Sequence, residues 1–472
     1  QIKNFVDRHD RNRFIISCRM AAYRHPFRRF TDIEIANFGD NQIQHFIANW
    51  FSQDPRKGHE CWHKLLSEDY TAAKELTHTP LLLTLTCLLY ERAGQFPTNR
   101  ATLYEKALRV LLEEWAGEKG IPQDRLYQGL DTKRKELMLS KIAYDAFRCD
   151  RLFLSKRELV KQIETLLAEM LPDEKFIDGH QVLKSIEIQH GILVEQAEGI
   201  YSFSHLTLQE FLTAQHIVDT HQHIDRVLSQ HLIDPRWREV FLLLVGLQQA
   251  DDILLTMAAQ VNGLISAPNL HHLLEWANRA TVASESVYKP VAKRTIAIFL
   301  ALDLAQALAL DHARARALDL DIDRARTLAL ALDHTLTLNR ALDLALARVL
   351  NLDRALDLVL DIARKFEEIK IFSDVNFNRL IARLEVLRVK IPQHQVSLSS
   401  RKLFVEKVHQ IWLNALNLRR EWIDLSRQEV VALDQYLYAN LLIVQCRQAA
   451  VWVSPPVWAS IESCMMLSSR PE

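Results

Sequence analysis

A chain of 472 residues with a formal net charge of −1 holds several domains and exerts no global electrostatic pull toward nucleic acid or an anionic membrane. Its six cysteines are scattered with no C-x-x-C pair, which excludes a disulfide scaffold and a zinc site and reads as reduced cytosolic thiols. The apolar run Leu81–Leu89 is far short of the roughly 20 residues that span a bilayer, no signal-peptide pattern opens the chain, and the 11 glycines, none after Gly263, argue for a mostly helical protein.

The first apolar run, Arg13-Phe14-Ile15-Ile16-Ser17-Cys18-Arg19, predicts a buried strand with a polar end. In an open α/β sheet, ligands gather at the carboxyl ends of strands, so Arg19 is either a ligand-facing cation or a surface ion-pair member. Phe30–Ile35 alternates and predicts a second strand. Asp40 is placed to cap a helix from Asn41 to Phe51, with Ile43, Phe46, Ile47 and Trp50 on one face; Asp54-Pro55 and Gly58 are expected to end it. A short helix over Tyr70–Leu76 comes next. Then His78-Thr79-Pro80 opens an apolar helix, since proline is tolerated in a first turn where its missing N–H costs nothing.

Amphipathic helices are predicted over Leu103–Trp115, Lys133–Phe147, from Ser155 and Glu158 (capping-box spacing) to Met170, and over Gln181–Ile186, with a short turn over Gln123–Leu130. Two β-rich runs follow, Ile192–Val194 and Ile200–Phe203. Ala197, Glu198 and Gly199 lie between them as a hairpin turn. The period then changes from two to about 3.6, and Thr207 with Glu210 has capping-box spacing, so a helix is expected from near Leu208. Helix, helix, helix, hairpin is the winged-helix order. His205 sits at the strand–helix junction, where it is either a satisfied structural histidine or a polar contact whose charge changes near neutral pH. The helices mix Lys with Glu and Asp, which argues against a basic recognition helix and against nucleic acid.

Val218 to Val287 is helical in pattern, with a proline-started apolar helix at Asp234-Pro235-Arg236-Trp237. Leu302–Arg364 alternates Leu, Ile, Arg or His with Ala, Asp, Thr or Asn, and His312, Arg326, Arg340 and Arg354 recur every 14 residues. Period two suggests strand. Ala, Leu and Arg are strong helix formers, however, and neither Gly nor Pro lies between Pro290 and Pro392, so stacked helices broken near Thr335–Asn339 are expected. Helices over Lys365–Val389, Phe404–Leu416, Ser426–Cys446 and Trp458–Leu467, with a linker from Ile391 to Ser400, complete the chain. Trp412, Trp422, Tyr436 and Tyr438 read as core.

The stretch Phe203-Ser204-His205-Leu206-Thr207-Leu208-Gln209-Glu210-Phe211-Leu212-Thr213-Ala214 resembles the winged-helix signature of NACHT-type STAND NTPases, the bacterial NLR-like signalling proteins. Ser17-Cys18-Arg19 is similar to the family's T-S-R strand end, although Cys18 replaces Ser and Met20 replaces Pro. Pro80-Leu81-Leu82-Leu83 resembles its P-L-L-L element, and Arg236-Trp237-Arg238-Glu239-Val240-Phe241 the helix that follows the winged helix. The end of the chain, Ala449–Trp458, resembles the C-terminal domain of similar bacterial proteins. The resemblance implies that His205 touches the β-phosphate of ADP, that Pro80 packs on adenine and that Arg19 reaches toward the γ-phosphate. It implies a cytoplasmic signalling switch in bacterial stress or antiphage defence. ADP would hold it closed, ATP would open it, and it would self-associate on activation, sense a ligand through its C-terminal region and drive an upstream effector.

The implied fold class is mainly α. Residues 1–39 would be the remnant of an α/β ATPase core, 40–100 a small helical domain and 101–217 the winged-helix domain. Residues 218–300 would form a helical domain, 301–366 the repeat segment and 367–472 a C-terminal helical domain. No G-x-x-x-x-G-K-(S/T) occurs and no apolar strand ends in paired acids for Mg²⁺, so this chain is not expected to hydrolyse ATP by itself. The phosphate-binding half, with its Mg²⁺, is expected upstream of Gln1. Two other readings stand beside the switch: a nucleotide-independent helical scaffold for protein–protein contacts, and a winged-helix DNA binder.

Overall fold

A computed structural model describes residues 5, 6, 8, 9, 12–15, 30, 36–67, 70, 73, 74, 77, 78, 80–97, 99–113, 130–173, 177–220, 224–308, 312–333, 352–388 and 398–468. The expected strand ends at Arg19 and Ile35, most of the Tyr70–Leu76 helix, the Gln123 turn and the break near Thr335–Asn339 lie outside these residues. The chain divides into two compact units, Gln1–Asp219 and Thr220–Glu472. Both are built mainly of helices, as the sequence predicts.

The first unit opens with α1 (Asp40–Trp50) and α2 (Pro55–Leu65). Asp40 is the first helical residue and not the cap. Gly39 caps, its N–H bonded to the Gln42 side-chain oxygen at 3.1 Å, and Asp40 instead meets Lys74 at 3.1 Å. Asp54-Pro55 does more than end α1. The Asp54 carboxylate accepts from the Lys57 N–H at 3.2 Å and starts α2, a helix the sequence reading missed. Gly58 sits inside that helix because a Cβ there would meet Phe51 Cβ at 3.1 Å. Close packing of α1 on α2 thus accounts for a residue that otherwise reads as a terminator.

Helix α3 (Pro80–Ala93) is apolar almost all round, and Leu82, Leu83, Leu85, Cys87, Leu88, Leu89 and Tyr90 are buried. Lys57 and Lys64 of α2 donate to the carbonyls of Glu91 and Gly94 at 2.6 Å each, placing cations on the carbonyl end of α3. Next come α4 (Arg100–Glu113), which begins three residues before the expected start, and α5 (Thr132–Arg148), whose first turn is capped by Asp131.

The winged-helix order is present, with one strand more than expected. β1 (Leu154–Ser155) pairs antiparallel with β3 (Ile200–Phe203), which pairs antiparallel with β2 (Leu193–Ala197), in the order β1-β3-β2. β2 runs on to Ala197 past a bulge between Glu195 and Ala197, so the turn is only Glu198-Gly199, with Gly199 at φ +70°. Ser155 caps α6 (Lys156–Met170) through the Glu158 N–H at 3.3 Å. The Glu158 carboxylate turns to Arg151 at 3.5 Å. Helix α7 (Gly179–Ser185) runs into a π-helical turn, Ile186–His190, that ends at left-handed Gly191. Helix α8 (Leu206–Thr220) follows β3. It starts two residues before Leu208, and His205, not Thr207, occupies the cap: its carbonyl accepts from the N–H groups of Leu208 and Gln209.

Among its described residues the second unit has helices and connecting loops and no strand. It holds α9 (Ile224–His231), α10 (Arg238–Leu247), α11 (Asp251–Asn262), α12 (Pro268–Thr281), α13 (Pro290–Leu308) and α14 (His312–Leu332). It continues with α15 (Leu352–Ile369), α16 (Phe377–Arg388), α17 (Leu398–Ala415), α18 (Arg420–Ile423), α19 (Arg427–Ala449) and α20 (Pro455–Cys464). The part of the period-two segment that is described is helix. α13 lies along α14, and α14 along α19, burying Leu304, Ala325, Leu328, Ala329 and Leu332. Propensity outweighs period there because alternate Leu and Ala give a helix apolar groups on every side. Phe366, Phe372, Phe377 and Trp412 form one ring cluster with centroids 5.6–6.4 Å apart. Trp412 and Tyr436 are core, whereas Trp422 is half-buried between the guanidinium groups of Arg279 and Arg419. No described helix is long and apolar enough to cross a membrane.

Candidate functional site

Most of the Phe203–Ala214 motif builds the core. Phe203, Leu208, Phe211, Leu212 and Ala214 are buried, and Phe211 stacks on Tyr104 of α4 at 5.7 Å. Gln209 is also buried; its amide donates to the Arg151 carbonyl at 3.5 Å, tying α8 to the approach to β1. Glu210 is buried as well. The solvent-facing part of the motif is the corner from Ser204 to Thr207, where His205 is half-buried and Leu206 exposed.

Two groups of Thr207 lie within hydrogen-bond distance of His205 Nδ1 and favour one tautomer. Thr207 N–H donates to His205 Nδ1 at 3.4 Å, and an amide can only donate. With Nδ1 accepting there, the Thr207 hydroxyl at 2.7 Å donates to it as well, and a neutral ring carries its proton on Nε2. With Nε2 protonated, the corner presents an N–H donor at the first turn of α8, where the helix dipole favours negative charge. Thr207 has a role that spacing alone did not give it. It orients the histidine and does not cap the helix.

Pro80 is the first residue of α3 and is exposed. The segment before it is clamped: Phe38 N–H donates to the His78 carbonyl at 2.8 Å, and His78 Nδ1 lies 2.6 Å from the Phe38 carbonyl. The Pro80 carbonyl accepts from Thr84 Oγ1 at 2.9 Å. Pro80 and His205 thus start two different helices of the first unit, each held by its own local bonds. Arg19 lies outside the described residues, so the trio as one site rests on the sequence.

One polar feature of the module gave no sequence signal. His190, at the end of the π turn, is buried; its Nδ1–H donates to the Leu111 carbonyl at 3.1 Å and its Nε2 faces Lys135 Nζ at 3.3 Å. Burial first, and the Lys135 charge second, push its pKa down to about 4. Burial also lowers the pKa of Lys135. Nothing in the spacing of Leu111, Lys135 and His190 announces that three elements meet there. Among the described residues no group of three or more His, Cys, Asp or Glu could hold a metal ion.

Two family models match the chain. The winged helix-turn-helix domain C-terminal to NACHT matches residues 100–217, the span from α4 into α8. NACHT C-terminal helical domain 2 matches residues 380–468, from within α16 to the end of the described chain. Comparison with curated proteins finds no match. The chain therefore carries two domains of the kinds that lie C-terminal to NACHT.

Proposed function

We propose that this chain gates a nucleotide switch. ADP bound by a NACHT module, with its Mg²⁺, is held in the closed state by a hydrogen bond from His205 Nε2–H to the β-phosphate. Pro80 offers a rigid, donor-free ring to the adenine face, and Arg19 supplies a cation toward the γ-phosphate when ATP replaces ADP. Exchange then opens the protein for self-association and for action on an upstream effector, in response to a ligand sensed by the C-terminal helices. The setting is cytoplasmic signalling in bacterial stress or antiphage defence. The observation that carries this reading is the Thr207–His205 pair, in which Nδ1 meets the Thr207 amide and hydroxyl, so that Nε2 is the nitrogen left to carry a proton at the start of α8. A switch of this kind requires ADP to bind the closed state better than the open one.

The test is ADP release from the protein carrying its NACHT module. A hydrogen bond to a charged phosphate contributes about 1.5–3 kcal/mol, so His205→Ala should speed release roughly tenfold to a hundredfold and raise basal signalling. Unchanged ADP retention would count against the switch and favour the second reading, a nucleotide-independent scaffold. The side-by-side packing of α13 and α14 is the feature that supports the scaffold.

A further inference from the structure

Helix α2 carries His59 and His63 four residues apart, with both side chains exposed. Their ring centroids are 4.4 Å apart and their planes are tilted by 53°. Positions i and i+4 share one helix face, so the pair is held by the backbone and not by chance rotation of a loop. The opposite face of α2, with Gly58, Cys61 and Leu65, is buried. Lys57 and Lys64 fasten the helix to the end of α3. The two imidazoles therefore stand on a fixed platform, which is what a chelating pair needs.

The spacing suits a metal. A borderline divalent cation lies about 2.0–2.1 Å from an imidazole nitrogen, and the ring centroid lies about 1.1 Å behind that nitrogen. Each centroid is then about 3.2 Å from the ion, and ligand angles of roughly 90–109° put the two centroids about 4.5–5.2 Å apart. The observed 4.4 Å lies about a tenth of an ångström below that interval, so the rings must move slightly apart and turn one nitrogen each toward the ion, which exposed side chains can do. Glu60, between them in sequence, is already paired with Arg56 at 3.3 Å.

We propose that His59 and His63 form a two-nitrogen chelate for a borderline divalent transition-metal ion, with water in the remaining positions. Imidazole ligands and the order of divalent affinities make Cu²⁺ the tightest occupant and Zn²⁺ a weaker one. The bound ion links successive turns of α2 and stiffens the helix that grips α3. This site is independent of the nucleotide reading.

The experiment titrates the whole chain with copper chloride and then zinc chloride, reading stoichiometry by calorimetry and nitrogen coordination by electron paramagnetic resonance. The chain has 19 histidines, so the measurement is a comparison with His59→Ala, His63→Ala and, as a control, His45→Ala at an exposed position on α1. Alanine is a strong helix former, and circular dichroism verifies that each variant folds; His63→Gln serves if His63→Ala does not. Each α2 variant should lose the tightest Cu²⁺ equivalent, weakening it by about tenfold or more, and should lose the two-nitrogen spectrum. His45→Ala should bind as the parent does. Equal stoichiometry and affinity in the parent and the α2 variants would overturn the proposal.

Discussion

Lys135 Nζ and His190 Nε2 face each other at 3.3 Å inside the winged-helix module, a cation against a ring nitrogen, with His190 2% exposed. The contact is favourable only while the imidazole is neutral and Nε2 accepts. The folded-state pKa of about 4 lies below the ordinary value of 6.5, so between these pH values the unfolded chain binds the extra proton. The contribution of His190 is therefore fully present above pH 6.5 and is lost as pH falls toward 4. The loss is of the order of 3 kcal/mol at about 1.36 kcal/mol for each unit. His409 in α17 is buried and pushed down to about 4 in the same way, chiefly by burial. Proton NMR should show two imidazole signals that do not titrate between pH 5 and 8, and urea midpoints should fall together with pH below 6.5. His190→Phe should flatten the first unit's share of that slope.

Thr207→Val removes the hydroxyl that donates to His205 Nδ1 while keeping the side-chain shape. Nitrogen-15 shifts of His205 should report a proton on Nε2 in the parent and a mixture of tautomers in the variant. The stability cost should be about 1 kcal/mol, one neutral hydrogen bond. In the protein with its NACHT module, ADP release should quicken by less than in His205→Ala. A parent spectrum with the proton on Nδ1 would remove the basis of the proposed phosphate contact.

Gly179→Ala tests the crossing of α6 and α7. A helical Gly→Ala change would ordinarily stabilise by about 1 kcal/mol. Here the new Cβ would lie 2.8 Å from the Val160 carbonyl oxygen and 2.7 Å from Glu164 Cγ. Glu164 can turn aside, but the backbone carbonyl cannot. The expected net effect is destabilisation by about 1–3 kcal/mol, read as a lower melting temperature.

In the second unit, Arg294 is buried, and its guanidinium donates to the carbonyls of Met465 at 2.8 Å and Ser463 at 3.3 Å. It therefore sits at the negative end of α20. At the other end of that helix, Asp251 accepts from the Ser454 N–H at 3.0 Å and from its hydroxyl. Arg294→Met should leave two carbonyls unpaired and cost about 1–3 kcal/mol, with amide exchange rising in Pro455–Cys464 before elsewhere in the unit. Asp251→Ala should free the same helix from its start. Uniform loss of protection across the unit would show that α20 is not separately fastened.

Sequence by itself determined the helical class, the hairpin with its glycine turn and the winged-helix order. These follow from local periodicity, β-branching and turn chemistry, which act within a few residues. It also singled out His205, because a histidine between a β-rich run and a helix is visible without coordinates. Tertiary structure decided what local rules could not. α2 was hidden by Asp54-Pro55 and Gly58, which read as a stop until close packing against Phe51 gives the glycine its reason. β1 is two residues long and exists only because β3 supplies its hydrogen bonds. The described part of the period-two stretch is helix, and α13, α14 and α19 bury its Leu and Ala against one another. The partners of His190 and of Arg294 are 55 to 171 residues away in sequence, and a buried charge or ring is satisfied by what folding brings to it, which spacing along the chain does not encode.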